Sequence, residues 1–265
     1  MLLAIDVGNT NTVFALYRER ELVGQWRIST VRERTAEEYA AWLIQLMRLK
    51  GQSHEGVNAV LISSVVPQAV IPLRWMSRDF FGCRAFVVGE DVECPIEVRL
   101  ANPREVGADR VVNAVAAKKR YKPPLVIVDF GTATTFDVVD ADGAYAGGAI
   151  APGVNLSIEA LHRAAAKLPR IAIEPPEKVI GTSTIGAMQS GIFYGYVGLI
   201  EGLVTRIQAE FGQPMAVIAT GGLAPLFVKR CAVLQHLDRD LTMAGLLEIY
   251  ELYRDRMRRD SPNRM

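Results

Sequence analysis

The chain has 265 residues, 30 basic against 29 acidic side chains, a net charge of +1 and 50% hydrophobic residues. That length supports a sizeable core in one or two domains, and the near-neutral balance removes the broad basic field that a non-specific nucleic-acid binder needs. Three cysteines, Cys83, Cys94 and Cys231, with no CxxC spacing, and three scattered histidines argue against a zinc site or a disulfide framework.

The first elements read as three antiparallel strands at 2–7, 12–17 and 22–29, divided by Gly8-Asn9 and the charged run 18–21. Asp6 arrives too early for a basic and then apolar leader, so no secretion signal is expected and a reducing cytoplasm is. A helix is expected over 35–50, with Tyr39, Leu43, Leu46, Met47 and Leu49 on its apolar face. Next come a strand at 59–63, a Pro67-led helix to 81, a strand at 85–88 and a helix over 108–120. After Pro123-Pro124 the pattern restarts, with strands at 125–129, 134–139 and 144–150. Helices at 154–167 and 184–211, a strand at 215–219 with a turn at 220–222, and a helix at 241–258 complete the chain, with a tail after Asp260 expected to fray. Residues 181–200 carry no charge, yet their Thr, Ser, Gln and Gly content is too polar for a membrane span, and a buried helix with close-packing glycines is expected.

The restart is a repeat. Shifting the sequence by 123 residues lays Asp6 on Asp129, Gly8 on Gly131, Asn9 over Thr132 and Thr12 on Thr135, so each half holds D-x-G-[N/T]-x-x-T after an apolar strand. A period of half the chain implies two similar domains, 1–120 and 121–265, and not a solenoid.

A carboxylate closing an apolar strand is costly to bury without partners. A single Asp-x-Gly is commonly a hairpin turn, but two in equivalent places point to ligand binding. Gly8, Asn9, Thr10, Asn11 and Thr12 offer N–H groups and small donors that suit a phosphate. Neither a Walker P-loop nor a G-x-G-x-x-G is present. With both aspartates serving one cleft, a cation held by carboxylates and phosphates is expected there. This layout resembles the acetate and sugar kinase, heat-shock ATPase and actin superfamily. The resemblance implies an α/β fold of two ribonuclease-H-like domains, mixed sheets flanked by helices, with ATP in the cleft between them. It also calls for an adenosine signature, which the Thr220-Gly221-Gly222 end of the strand from Ala216 fits.

Gly107-Ala108-Asp109-Arg110 opens a helix. An acidic residue in a first helical turn can serve the macrodipole alone, but phosphoryl transfer to an alcohol needs a carboxylate to take the hydroxyl proton, with a cation nearby. Asp109 and Arg110 supply both. The ordered motifs Asp6-Val7-Gly8-Asn9-Thr10, Ser63-Ser64-Val65-Val66-Pro67, Asn102-Pro103, the 107–110 loop, Asp129-Phe130-Gly131-Thr132, Gly147-Gly148, Pro152-Gly153, Gly181-Thr182-Ser183-Thr184 and Gln189-Ser190-Gly191 resemble the type III pantothenate kinase family over nearly the whole chain.

The resemblance implies ATP-dependent phosphorylation of pantothenate at the entry to coenzyme A synthesis. Asp109 would be the proton acceptor and Gly107, Ala108, Asp109 and Arg110 the substrate loop. Asp6, Val7, Gly8, Asn9, Thr10, Asn11, Thr12 and Val13, with Thr132, Gly221 and Gly222, would bind ATP, and Asp6 would help hold Mg²⁺ and phosphate. Asp129 would bind a monovalent cation, potassium or ammonium. Thr184 would contact pantothenate from the neighbouring subunit of a homodimer, and the glycines at 191, 195, 198 and 202 suit close helix contact between subunits or within the chain. Neither nucleic acid nor membrane is expected as a partner. One departure is Leu100, where the family commonly has a tyrosine walling the pocket, an exchange worth on the order of 1 kcal/mol. Two rivals stay open: a nucleotide-binding regulator of the same fold, and a kinase for another small alcohol.

Overall fold

The structure is a computed structural model that describes residues 1–260; the tail expected to fray lies outside the described residues. Two compact units emerge. The first comprises Met1–Ile96, Asn102–Ala116 and the described residues from Leu241 to Asp260; the second comprises Glu97–Ala101 and Ala117–Asp240.

The first unit is built on five strands in the order β3-β2-β1-β4-β5. β1 (Leu2–Val7) lies between β2 (Asn11–Arg18), antiparallel, and β4 (Ala59–Ser64), parallel. β3 (Glu21–Ser29) and β5 (Ala85–Val87) form the edges. A strand paired on both sides and covered on both faces needs a near-continuous apolar run, which Leu2-Leu3-Ala4-Ile5 supplies. Each fully buried Leu or Ile contributes roughly 1.5–3 kcal/mol of transfer free energy. α1 (Ala36–Leu49) starts at a capping box: the Glu38 amide donates to Thr35 Oγ1 and the Thr35 amide to Glu38 Oε2. It buries Tyr39, Ala40, Leu43 and Met47 in a cluster shared with α2 (Pro67–Phe80) and with Leu3, Ile5 and Phe14; Leu49, expected on the apolar face, is instead exposed.

The long terminal helix α7 (Leu241–Asp260) packs on β1 and β4 of this first unit. Gly245 sits so close to α3 (Ala108–Arg120) that an added Cβ would lie 2.2 Å from the Val112 carbonyl oxygen. Thr242 Oγ1 donates to Asn113 Oδ1 at 2.7 Å, and Arg20 pairs with Glu248 and Glu251. A single cut at residue 120 assigns α7 to the second sheet, whereas these contacts tie it to the first.

The second unit repeats the plan in the order β10-β9-β6-β7-β8. β6 (Leu125–Phe130) pairs antiparallel with β7 (Ala133–Val139) and parallel with β9 (Ala216–Gly221). β8 (Tyr145–Pro152) and the short β10 (His236–Leu237) flank them. One face buries Val126, Val128, Phe136 and Val138 against α4 (Val154–Ala164), α5 (Thr184–Phe211) and α6 (Ala224–Val228). The expected α/β class with two mixed sheets flanked by helices is therefore present.

Several boundaries differ from expectation. α4 stops at Ala164, short of 167, because Pro169 disfavours helical backbone at Leu168 and the Leu168 carbonyl meets His162 Nδ1 at 2.7 Å. β9 runs on through Thr220 and Gly221, so these belong to a strand and not to a turn. β10 has only two residues, too few for any periodicity to announce.

Candidate active site

The two Asp-x-Gly hairpins are the same structure with one residue removed. β1 and β6 share one burial pattern, as do the first seven residues of β2 and β7. In the first hairpin Val7 pairs with Thr12 and Gly8 N donates to Asn11 O at 3.0 Å; in the second Phe130 pairs with Thr134 and Gly131 N donates to Ala133 O at 3.0 Å. The structural counterpart of Thr12 is thus Thr134, and not the Thr135 that a uniform shift selects. Both are fully buried. Thr12 is consumed inside the turn: its Oγ1 bonds Thr30 Oγ1 at 2.9 Å while Thr30 Oγ1 donates to Gly8 O at 2.7 Å. Thr30 also donates its amide to Thr10 O, which makes it a support that no motif disclosed. Asn9 and Thr10 are left exposed at the tip, as are Gly131 and Thr132 in the second hairpin.

Asp6 has a buried Oδ1 and lies between Val13 on β2 and Ser63 on β4, whose hydroxyl is buried without a hydrogen-bond partner. Val65 N donates to Val7 O at 3.1 Å, and Ser64 Oγ takes the Val66 amide at 3.0 Å. Val65 then reaches the 107–110 loop, where a Cβ on Gly107 would stand 3.5 Å from its Cγ1. The first unit therefore joins the end of β1, the Ser-Ser-Val-Val-Pro segment and the loop bearing Asp109.

Asp109 lies in the first turn of α3, half-buried, and its Oδ1 accepts the Arg110 amide at 2.8 Å. Burial pushes its carboxyl above the ordinary aspartate value, an effect only partly offset by the Arg110 amide and the Arg110 charge. Gly107 makes this position possible, since a Cβ there would fall 2.6 Å from Asp109 Oδ1. A carboxylate of raised proton affinity, held by its backbone, is suited to accept a proton from a neutral hydroxyl.

The second unit shows the same device. Asp129 lies between Thr135 on β7 and Thr220 on β9. Gly221, at φ +90°, leaves room for it, because a Cβ there would lie 2.5 Å from Asp129 Oδ1. A Cβ on the neighbouring Gly222 meets nothing within 4 Å. The donor set at Asp129, one carboxylate between two hydroxyl residues, suits a monovalent cation. At Asp6 a single carboxylate leaves the remaining positions to water and phosphate, as magnesium prefers. Among the described residues no three His, Cys, Asp or Glu side chains gather to form a self-sufficient metal cage.

The remaining substrate candidates also lie in the second unit. Leu100 packs on β8, its Cδ2 3.2 Å from where a Gly147 Cβ would stand. Thr184 is exposed in the first turn of α5, behind the Ser183 cap that accepts the Gly186 amide at 3.1 Å.

The profile of the type III pantothenate kinase family matches residues 2–206. The chain belongs to the type III pantothenate kinase family. A type III pantothenate kinase of Paramagnetospirillum magneticum is 60% identical over 251 residues, covering 94% of this chain and 96% of that relative. Among solved structures, a Campylobacter jejuni protein assigned to the Baf family of transcriptional activators superposes with TM-score 0.62 at 16% identity, covering 96% of this chain and 99% of its own. A Porphyromonas gingivalis protein assigned as an N-acetylglucosamine kinase gives 0.52 at 13%, covering 96% and 100%. At such identities these two speak for the fold alone. No helix among the described residues is long and apolar enough to cross a membrane.

Proposed function

We propose that the protein is a pantothenate kinase, transferring the γ-phosphoryl group of ATP to the primary hydroxyl of pantothenate to give 4′-phosphopantothenate and ADP, the first step of coenzyme A biosynthesis. Beyond family membership, the observation that carries this reading is the Asp109 carboxylate, raised in proton affinity and seated over Gly107 beside Val65. With Oδ1 engaged by the Arg110 amide, Oδ2 takes the hydroxyl proton as the new P–O bond forms. Arg110 and the rest of the 107–110 loop hold pantothenate.

Residues 6–13 with Thr132, Gly221 and Gly222 bind ATP, the exposed tips at Asn9, Thr10 and Thr132 meeting phosphate oxygens. Asp6 helps hold magnesium, which when bound offsets phosphate charge. Asp129 holds a monovalent cation, potassium or ammonium. Catalysis then rests mainly on positioning and charge stabilisation.

The active form is a homodimer in which Thr184 of the neighbouring subunit contacts the substrate. Gly191, Gly195 and Gly198 support this, because they recur on one face of α5 and an added Cβ at any of them meets nothing within 4 Å. Packing within the chain does not account for them. The enzyme works in the cytoplasm, with Cys83, Cys94 and Cys231 as free thiols; burial raises the Cys94 thiol to about 12.

The test is ADP release with ATP and Mg²⁺ in matched potassium and sodium buffers, with pantothenate, glycerol or a short polyol as acceptor. Pantothenate-dependent, potassium-stimulated release is expected. Equal rates on all three alcohols would replace pantothenate with a broader alcohol class, and no acceptor-dependent release from folded, ATP-binding protein would favour a regulator.

A further inference from the structure

On β7, two residues beyond Thr135 and on the same face, lies Asp137. It is fully buried on the side of the sheet opposite Phe136 and Val138, which enter the apolar cluster. An ionised carboxylate in that position needs donors in place of water. Thr135 Oγ1 donates to its Oδ2 at 2.8 Å and Tyr145 OH donates to its Oδ1 at 2.8 Å.

A threonine hydroxyl has one proton and two lone pairs. Because the Thr135 proton goes to Asp137, only lone pairs remain for whatever approaches from the other side. Asp129 is the direct cross-strand partner of Thr135, and such pairs hold their Cβ atoms roughly 4.5–5.5 Å apart. A carboxylate and a hydroxyl oxygen turned lone-pair outward are two acceptors side by side, an arrangement that favours a cation. The buried group is also tied to the substrate wall. Tyr145 N donates to Glu97 O and Arg99 N to Tyr145 O, each at 2.8 Å, immediately before Leu100.

We propose that Asp137 is a positioning residue: by accepting the Thr135 proton it makes the Thr135 oxygen a ligand for the monovalent cation held at Asp129. The proposal rests on the reading of Asp129 as the cation carboxylate. Asp137 acts through the threonine whose proton it accepts. The neutral oxygen it prepares adds a ligand without adding charge, which favours a monovalent over a divalent ion.

The test is the thermal shift produced by potassium over sodium at equal ionic strength, on protein without ATP or pantothenate. The variants are Asp129→Asn, Thr135→Val, Thr135→Ser, Asp137→Asn and the double variant Asp137→Asn with Tyr145→Phe. In Asp137→Asn one amide oxygen faces two hydroxyl donors. The phenol, the stronger donor, takes it, so the amide N–H₂ meets Thr135 and turns the threonine proton toward Asp129. Removing the phenol returns the oxygen to Thr135.

The potassium shift is expected in the wild type and Thr135→Ser and absent in Asp129→Asn and Thr135→Val. Asp137→Asn should need at least ten-fold more potassium, and the double variant should recover. A Thr135→Val protein that responds like the wild type while Asp129→Asn does not would overturn the proposal and leave Asp129 as the cation carboxylate. Failure of the double variant to recover would remove Asp137 from the positioning role. A wild type with no potassium-specific shift would overturn the cation reading together with this proposal. If the Asp137 variants do not fold, the Thr135→Val and Thr135→Ser pair decides.

Discussion

Replacing Gly107 by alanine should separate catalysis from stability. The backbone there is not in the left-handed region, so alanine brings no dihedral penalty, and the nearest atom to the new Cβ is Asp109 Oδ1 at 2.6 Å, followed by Val65 Cγ1 at 3.5 Å. An ordinary contact requires the oxygen to retreat by about 0.8 Å or more. A carboxylate can do this by rotating about its side-chain bonds, at a cost of about 1 kcal/mol or less for a modest off-rotamer angle. For the reaction the same displacement is serious, since a misplacement of about 1 Å can cost on the order of 10²-fold in rate. The expected result for Gly107→Ala is a kcat lowered roughly 10- to 100-fold, with a urea midpoint close to the wild type. The assays are coupled ADP release and urea denaturation. An alanine variant that folds normally and retains full kcat would refute the assignment of Asp109 as the base held by this loop.

Asp109→Asn tests the charge instead of its position: kcat should fall about 10²- to 10⁴-fold, and the acid limb of the wild-type pH profile, set above the ordinary aspartate range by burial, should disappear with it. The sign for stability follows from linkage. A carboxyl whose folded-state affinity for the proton is raised favours folding below its unfolded pKa and loses that contribution as pH rises through the folded value. Asp109→Asn should therefore be at least as stable as the wild type at pH 7, the gap closing in acid; a marked loss of stability at neutral pH would mean the carboxylate holds the fold together. Gly195→Arg places a long charged side chain where an added Cβ meets no atom of the same chain, so the variant should fold and run as a monomer in light scattering with lowered activity. A fully active monomer would remove the homodimer from the mechanism.

The repeat was legible because burial imposes it. A strand enclosed on both faces must be apolar except where a side chain leaves the core, so Leu2–Val7 and Leu125–Phe130 share one burial pattern with the half-buried Asp6 and Asp129 at the same step. The alignment of the following threonines was not legible. Register is set by the turn, and the second turn is one residue shorter, so a uniform shift pairs Thr12 with Thr135 although Thr134 shares its buried position. That one-residue difference has a chemical consequence. It places Thr135 opposite Asp129, where the first hairpin puts Val13 opposite Asp6.

Motifs point to glycines by spacing alone, and the structure adds what a methyl group at each would strike. Gly221, which the motif offers to adenosine, also clears space for Asp129, as Gly107 does for Asp109. No spacing rule could reveal this, because Gly221 and Asp129 are brought together by a parallel strand pairing and not by proximity in the chain. The two units thus reach a similar solution by different routes. In each, a glycine leaves room for a carboxylate where a Cβ would have to displace it, at 2.6 Å from Asp109 Oδ1 and 2.5 Å from Asp129 Oδ1, and the orientation of the charged group is then set by its donors, the Arg110 amide in the case of Asp109.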